Sequence, residues 1–428
     1  MPPLPSPKAL LLVLVLLLYV PFVGKTAKHS LHGPADFATF HAASGMAFDD
    51  GKSPYAPGAF AGAEAALGTP VFPYVYPPPS LLAFYPLTFF TYPTARFVIF
   101  ALNQALLLAS CYLLLRKLVP VDLNRAADAM TAAFFCVYVL SYQPIAFELS
   151  HGQVDLLVLT CICLTWLAVE RAKPAFLIAL PLSFAILVKT YPLAFLPLLL
   201  IHRKVRALFY VAGLLMLYTA AAYIVLPGSV WADYAINVLP TAGYGRTPYN
   251  LGSPAFPWNQ SVNGFTARLF APNDMSQVLW PNESLARIVP YVLALGIIAV
   301  TVGASYLASR SRPAQSTLAS EFSLYLLMMF MVSPIAWVQH LVFALPAALV
   351  SLRVVTAERP EPRLLVVIAG ALLLLAWPLP IELPALRSGP LTLAVSAKLY
   401  AAAILWGFLL LTLLQPSRAK PSLARPAE

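Results

Sequence analysis

Eight stretches of this 428-residue chain, roughly 8–24, 94–115, 127–147, 154–170, 207–227, 288–309, 364–380 and 390–414, are apolar over most of a membrane-crossing length. A helix needs roughly 20 mainly apolar residues to cross the hydrocarbon core. Backbone in that core must satisfy its own hydrogen bonds, which leaves helices or closed barrels. The runs are too long and too weakly alternating for barrel strands. With 60% hydrophobic residues, 10% charged residues and a mean hydropathy of +0.78, a water-soluble globular fold is excluded. The expected fold is an all-α polytopic membrane bundle with about eight full spans. Shorter apolar pieces at 80–92, 175–188 with 192–202, and 321–332 with 341–352 read as half-depth helices, tolerated where they line a cavity.

The first run carries Lys8 before it and no small-residue cleavage pattern at its end, so it reads as an uncleaved span. Cys111, Cys136, Cys161 and Cys163 all lie in apolar segments and read as core filler. With the N-terminus cytoplasmic, seventeen of the 27 basic residues fall on the cytoplasmic side, among them Arg171, Lys173, Arg203, Lys204 and Arg206, against seven acids there. That imbalance equals the whole net charge of +10, as the positive-inside rule requires. A topological cause for the basic charge removes the case for nucleic-acid binding. Residues 1–415 read as one transmembrane domain, with external loops 25–79 and 228–287, and residues 416–428 as a short basic cytoplasmic tail.

This topology gathers the unusual polar residues on the external side. Asp36, the first acidic residue, follows the first apolar run by about ten residues, with His41 after it. Then come Tyr76-Pro77-Pro78-Pro79, Glu148, His151-Gly152-Gln153 and Lys189-Thr190-Tyr191-Pro192. Asn259-Gln260-Ser261-Val262-Asn263-Gly264 and Ser333-Pro334 through Trp337, Gln339 and His340 complete the set. Lys189 is apolar-flanked, and a charge in the bilayer costs about 2.5–3.5 kcal/mol on insertion scales, so it needs either to snorkel or to meet an anion, for which a lipid phosphate is suited. Gln153 offers donors and acceptors to a sugar, and Glu148 is placed with it as a substrate contact. Helix capping alone would account for Asp155, which stands behind Glu148 and Gln153 as a third substrate-contact candidate. Asp49 and Asp50 sit in a turn-like Gly51-Lys52-Ser53-Pro54 context, as solvated loop residues or a cation site. Two N-glycosylation tripeptides, Asn259-Gln260-Ser261 and Asn282-Glu283-Ser284, lie on an external loop.

In order, these pieces are an early Asp-Phe-x-x-Phe, Tyr-Pro-Pro-Pro, Gly-Gln-x-Asp-Leu-Leu, Lys-x-Tyr-Pro, Asn-Gln-Ser-x-x-Gly and Ser-Pro-x-x-Trp-x-x-His. The series resembles the polyprenyl-phosphate-sugar-dependent glycosyltransferases of the GT-C superfamily. It is most similar to glycosyltransferase family eighty-seven, which contains bacterial α-1,2-mannosyltransferases that extend phosphatidylinositol mannosides. The resemblance implies a GT-C-type bundle in the cytoplasmic membrane with its site facing outward. It implies a polyprenyl-phosphate sugar donor, most simply mannose, a glycolipid or glycan acceptor, inversion at the anomeric carbon, and no metal or other cofactor. By that likeness Asp36 is the catalytic base, Lys189 and His340 meet the donor phosphate, and His41, Tyr76, Glu148, Gln153, Tyr191, Asn259, Gln260, Asn263, Trp337 and Gln339 contact substrate. The chain departs from the family pattern at Asp155, where Asn is frequent, and at Val338-Gln339, where a second histidine can occur.

An arabinofuranosyl or other pentosyl donor would use the same mechanism, and a lipid or glycan transporter would use the same pocket without chemistry. A transporter, however, concentrates polar residues near the midplane in paired halves, and no internal repeat is present. Trp231, Tyr234, Tyr244, Tyr249 and Trp258 on the second external loop suit either carbohydrate stacking or the membrane interface.

Overall fold

The structure is a computed structural model and describes residues 7–33, 35–246, 251–358 and 361–415. Pro34, Tyr249 and the 416–428 tail lie outside the described residues. Among those residues the chain is built of α-helices joined by short 3-10 and π turns, without strands. Six helices are long and apolar enough to cross a bilayer: Leu10–His32, Tyr92–Leu118, Val205–Val225, Glu283–Ser311, Val338–Ala357 and Gly389–Leu414. Ala126–Ser141 and Gln143–His151 form a seventh candidate, bent by 48°. The bend falls at Tyr142, where Pro144 opens the second piece, because proline suits the first turn of a helix but not its interior.

Two expected spans are shorter than a full crossing. Asp155–Glu170 has 16 residues and Pro362–Ala376 has 15, about 24 Å or less at 1.5 Å per residue against a core of about 30 Å. In the first, polar Gln153 to Asp155 and the Glu170-Arg171 pair occupy the ends that a full span would need. Conversely, the 341–352 piece expected to be half-depth is part of the 20-residue Val338–Ala357 segment, where a 3-10 stretch runs directly into an α-helix at Leu345. The first helix extends to His32, so Asp36 follows the helix end by four residues. The 25–79 and 228–287 loops are themselves partly helical, at Phe37–Phe48, Ala61–Leu67, Gly228–Asp233 and Val262–Phe270.

The helix from Ala314 to Val332 is the centre of the bundle: residues 321–331 are all buried. A helix apolar on every face must be buried on every face. Trp166 stacks on its Phe322 and Phe195 packs against it tilted, both at ring distances of 5.3 Å. Its buried Glu321 carboxylate meets His202 Nε2 at 2.8 Å, so the charge is not left alone. On the peripheral helices, large apolar side chains such as Phe209, Ile224 and Leu295 face outward, the surface a bilayer would cover.

Polar side chains hold the loop 251–261 to this bundle. Buried Arg268 donates to the carbonyls of Phe256 and Asn259 at 3.0 and 3.1 Å and to Ser396 Oγ at 2.8 Å. Asn259 and Asn263 both donate to Pro334 O, and Asn259 Oδ1 accepts from Ala336 N at 3.0 Å. The loop is thereby fastened to the turn that leads into His340. Removing a buried donor strands its acceptors, at about 1–3 kcal/mol for each group. Arg268→Leu is therefore expected to destabilise the detergent-solubilised protein by about 2–4 kcal/mol, read as a lowered melting temperature.

Candidate active site

Four segments meet around one buried lysine. The Asp155–Glu170 and Ala175–Val188 helices form an antiparallel hairpin, so the first residue of one lies beside the residue just past the end of the other. Lys189 Nζ sits 2.7 Å from Asp155 Oδ1, with the lysine 1% and the aspartate 0% exposed. The anion that the structure supplies to Lys189 is thus a carboxylate of the chain itself. Lys189 also donates to Gln153 Oε1 at 3.1 Å, and Gln153 Nε2 donates to Asp36 Oδ2 at 2.7 Å. Lysine can only donate and a carboxylate can only accept, so the amide of Gln153 is read in a single sense. The result is a continuous path from Asp36 through Gln153 and Lys189 to Asp155.

The path is braced from all sides. Asp36 stands at the start of the Phe37–Phe48 helix, but its side chain makes no capping bond and remains directed to Gln153. The next residue, Phe37, packs against Gly152, the residue before Gln153; a Cβ at Gly152 would stand 2.9 Å from Phe37 Cβ, and Gly152 has φ +64°. That left-handed conformation favours glycine, which also permits the approach. Asn103, buried in the Tyr92–Leu113 helix, donates to Gln153 O at 2.7 Å. Glu148 is fully buried and accepts from Leu156 N at 3.1 Å, so it closes the turn from behind.

On the far side of Lys189, Tyr191 donates to Asp155 Oδ1. His340 Nε2 lies 3.6 Å from Asp155 Oδ2, beyond hydrogen-bond range, and that oxygen is buried without a hydrogen-bond partner. The rings of Tyr76 and Tyr191 lie 5.8 and 5.9 Å from Lys189 Nζ, within cation–π reach. Tyr76 is held by Tyr55, whose hydroxyl donates to Tyr76 O at 2.6 Å, and by ring stacking on Phe40 at 5.3 Å. Burial lifts the Tyr76 phenol above its ordinary pKa while the Lys189 ammonium pulls the other way, so it stays a neutral hydroxyl at physiological pH.

The expected site residues therefore divide. Asp36, Gln153, Lys189, Tyr191, Tyr76 and His340 converge. His41 turns aside: its Nε2 is 3.3 Å from Phe90 O between the rings of Phe37 and Tyr92, and burial lowers its pKa. Asn259, Gln260 and Asn263 spend their side chains on backbone: Gln260 Nε2 donates to Pro257 O and Val395 O, and Asn263 Oδ1 accepts from Gly245 N. Trp337 is half-buried against Phe256, and Gln339 is buried beside His340. Asp49 accepts from Tyr85 OH at 3.1 Å. Asp155, read from sequence as a cap, is the hub. Asn103 was not singled out at all. Both were legible as polar residues bounding or interrupting apolar helices, and Asp155 as a charge opposite to Lys189 across a hairpin with arms of matched length.

The arrangement is that of a helical membrane protein with a polar, charge-paired site at one end of an apolar bundle. A model of glycosyltransferase family 87 matches residues 74–334, more than half of the chain, and the chain belongs to that family. The match spans Gln153, Asp155 and Lys189, beginning after Asp36 and ending before His340. One curated relative is the polyprenol-phosphate-mannose-dependent α-(1-2)-phosphatidylinositol mannoside mannosyltransferase of Mycolicibacterium smegmatis. It is 26% identical over 346 residues, covering 78% of this chain and 73% of the relative. The enzyme of the same name from Mycobacterium tuberculosis is 24% identical over 286 residues, 65% of this chain and 61% of the relative. No solved structure matches the chain.

Gly152→Ala tests whether the Phe37 contact sets the spacing of Asp36 and Gln153. Left-handed strain and overpacking together are expected to cost about 2–3 kcal/mol and to lower glycosyl transfer at least about tenfold, since a displacement near 1 Å can cost a hundredfold in rate. Melting and transfer assays on the purified variant measure the two effects.

Proposed function

We propose that this chain transfers mannose from a polyprenyl-phosphate donor to a hydroxyl of a glycolipid acceptor of the phosphatidylinositol mannoside class, at the outer face of the cytoplasmic membrane and with inversion. The observation that carries this reading is the path Asp36–Gln153–Lys189. It fixes a carboxylate and a cation at a set separation, as a displacement with a proton-taking end and a phosphate-leaving end requires. The relatives' names supply the donor and acceptor classes.

In this mechanism the acceptor oxygen attacks the anomeric carbon while Asp36 takes its proton; a positioned carboxylate base typically contributes 10²–10⁴-fold. The bond from the anomeric carbon to the phosphate oxygen breaks, and its electron pair leaves on polyprenyl phosphate. Lys189 and His340 face that developing charge, where preorganised donors act most strongly. Asp155 and Tyr191 hold the lysine while the phosphate is absent. Gln153, bonded at both ends, keeps Asp36 from turning away. The reaction needs no resident metal on this reading, so chelator leaves the rate unchanged.

The test is transfer of radiolabelled mannose from synthetic polyprenyl-phosphate mannose to a lipid extract. Asp36→Asn keeps the shape and the bond acceptor but loses the base, so turnover falls about 10²–10⁴-fold while donor binding persists. Unchanged turnover would remove Asp36 from the role. Lys189→Met is expected to raise the donor KM and to lower turnover by about 10²-fold or more. Transfer only from an arabinofuranosyl donor would change the sugar and keep the mechanism; no transfer from any polyprenyl-phosphate sugar, with donor still bound, would favour transport.

A further inference from the structure

The helix hairpin that ends in the Asp155–Lys189 pair has a different feature at its other end, about 24 Å away along the Asp155–Glu170 helix. There a cavity of about 350 Å³ is lined by Lys173, Arg203, Lys204 and Arg206, together with the first residues of the Ala175–Val188 and Val205–Val225 helices. A second cavity of about 430 Å³ shares Lys173 and has Arg171 beside it, then continues along the apolar side chains of Leu164, Leu177, Leu180 and Phe184. Leu164 and Leu177 are 41% and 47% exposed, so this groove opens on the outer surface of the bundle. Among the described residues, no acidic residue lines either cavity.

Basic residues at a cytoplasmic helix end usually reflect topology alone. Three observations go beyond that. Two turns whose equivalent residues, Ala172 and Arg203, lie far apart in sequence converge on one cavity. Each turn closes its helix in the same way: Lys173 N donates to Ala168 O and Ala172 N to Val169 O, while Lys204 N donates to Leu199 O and Arg203 N to Leu200 O. In such a closure the left-handed position is usually glycine. Here it is Ala172 at φ 49° and Arg203 at φ 55°, the two non-glycine residues with positive φ among the described residues. Such backbone is uncommon and clusters where function uses it, and both turns carry a lysine directly after it that lines the cavity. Finally, the basic chamber borders an apolar trough at the shared Lys173, which a soluble anion would leave empty and an amphiphile would fill.

We infer that these joined cavities bind one anionic glycerophospholipid of the leaflet at that end, its phosphate among Lys173, Arg203, Lys204 and Arg206 and an acyl chain along Leu177 and Leu180. Basic pockets between membrane helices recognise phospholipid headgroups in this way, and the long lysine stems reach the headgroup from apolar surface. The occupant is a structural lipid, bound away from Asp36 and independent of the sugar donor.

Native mass spectrometry of the intact protein, titrated in micelles with phosphatidylglycerol or with phosphatidylcholine of the same chains, tests this. The wild-type protein is expected to retain one phosphatidylglycerol in preference to phosphatidylcholine. Lys173→Gln with Lys204→Gln should reduce that retention by roughly thirtyfold. Leu177→Trp should reduce it with every charge in place, and Arg310→Gln with Arg312→Gln, which removes equal charge elsewhere, should not. Equal retention of the two lipids would overturn the site, as would an equal loss in the Arg310 and Arg312 control. Competition by glycerol 1-phosphate at the same concentration as phosphatidylglycerol, with Leu177→Trp silent, would show a headgroup anion site without the groove and would also overturn it.

Discussion

A buried ammonium is the constraint on which this site depends. Lys189 is 1% exposed at the end of an apolar helix, where an unpaired charge would cost several kcal/mol. Asp155 answers it from the neighbouring arm of the same hairpin, and the pairing works only if the two helices are of nearly equal length and run antiparallel. Once they do, Gln153, two residues before Asp155, lies within reach of the same ammonium, and its other face is left for Asp36. The position of a carboxylate near the N-terminus is therefore set by the length of a hairpin more than a hundred residues away in the chain.

This pairing also gives physical content to an aspartate, rather than an asparagine, at position 155. An asparagine at 155 would accept a hydrogen bond from Lys189 but leave its charge uncompensated; the aspartate neutralises it. The lysine here is thus held in a dry, balanced pair. On the proposed mechanism, a donor phosphate would share that cation with a carboxylate already 2.7 Å from it. Asp155 Oδ2, buried without a partner and 3.6 Å from His340, marks the side on which that balance is incomplete.

Much of this was legible in the sequence, because membrane helices announce themselves by composition and because polar residues inside apolar runs are few. Asp36, Gln153, Lys189, Tyr191 and His340 stood out for that reason and are found together. What could not be read was the direction of each polar side chain. Asn259, Gln260 and Asn263 have the donors and acceptors of sugar-binding residues, and their amide nitrogens are spent on backbone carbonyls that fasten the loop. Glu148 likewise serves a helix start. Expected and observed span lengths differ where apolar composition and helix length part company: Asp155–Glu170 is apolar but short, and the 3-10 segment Val338–Ala344 runs straight into the helix at Leu345, a continuity that composition does not reveal.

The first helix ends at His32, and buried Arg96, near the start of the Tyr92–Leu113 helix, donates to the carbonyls of Ser30 and Gly33. That clamp fixes the height of the first helix against the second at the end nearest Asp36. A lone membrane helix meets a thinner or thicker bilayer by sliding or tilting about its middle. Here the end near Asp36 is pinned to the Tyr92–Leu113 helix, so the first helix cannot slide at that end without carrying its neighbour with it. The height of Asp36 is thereby set against the Tyr92–Leu113 helix, its neighbour in the protein, before it is set against any membrane.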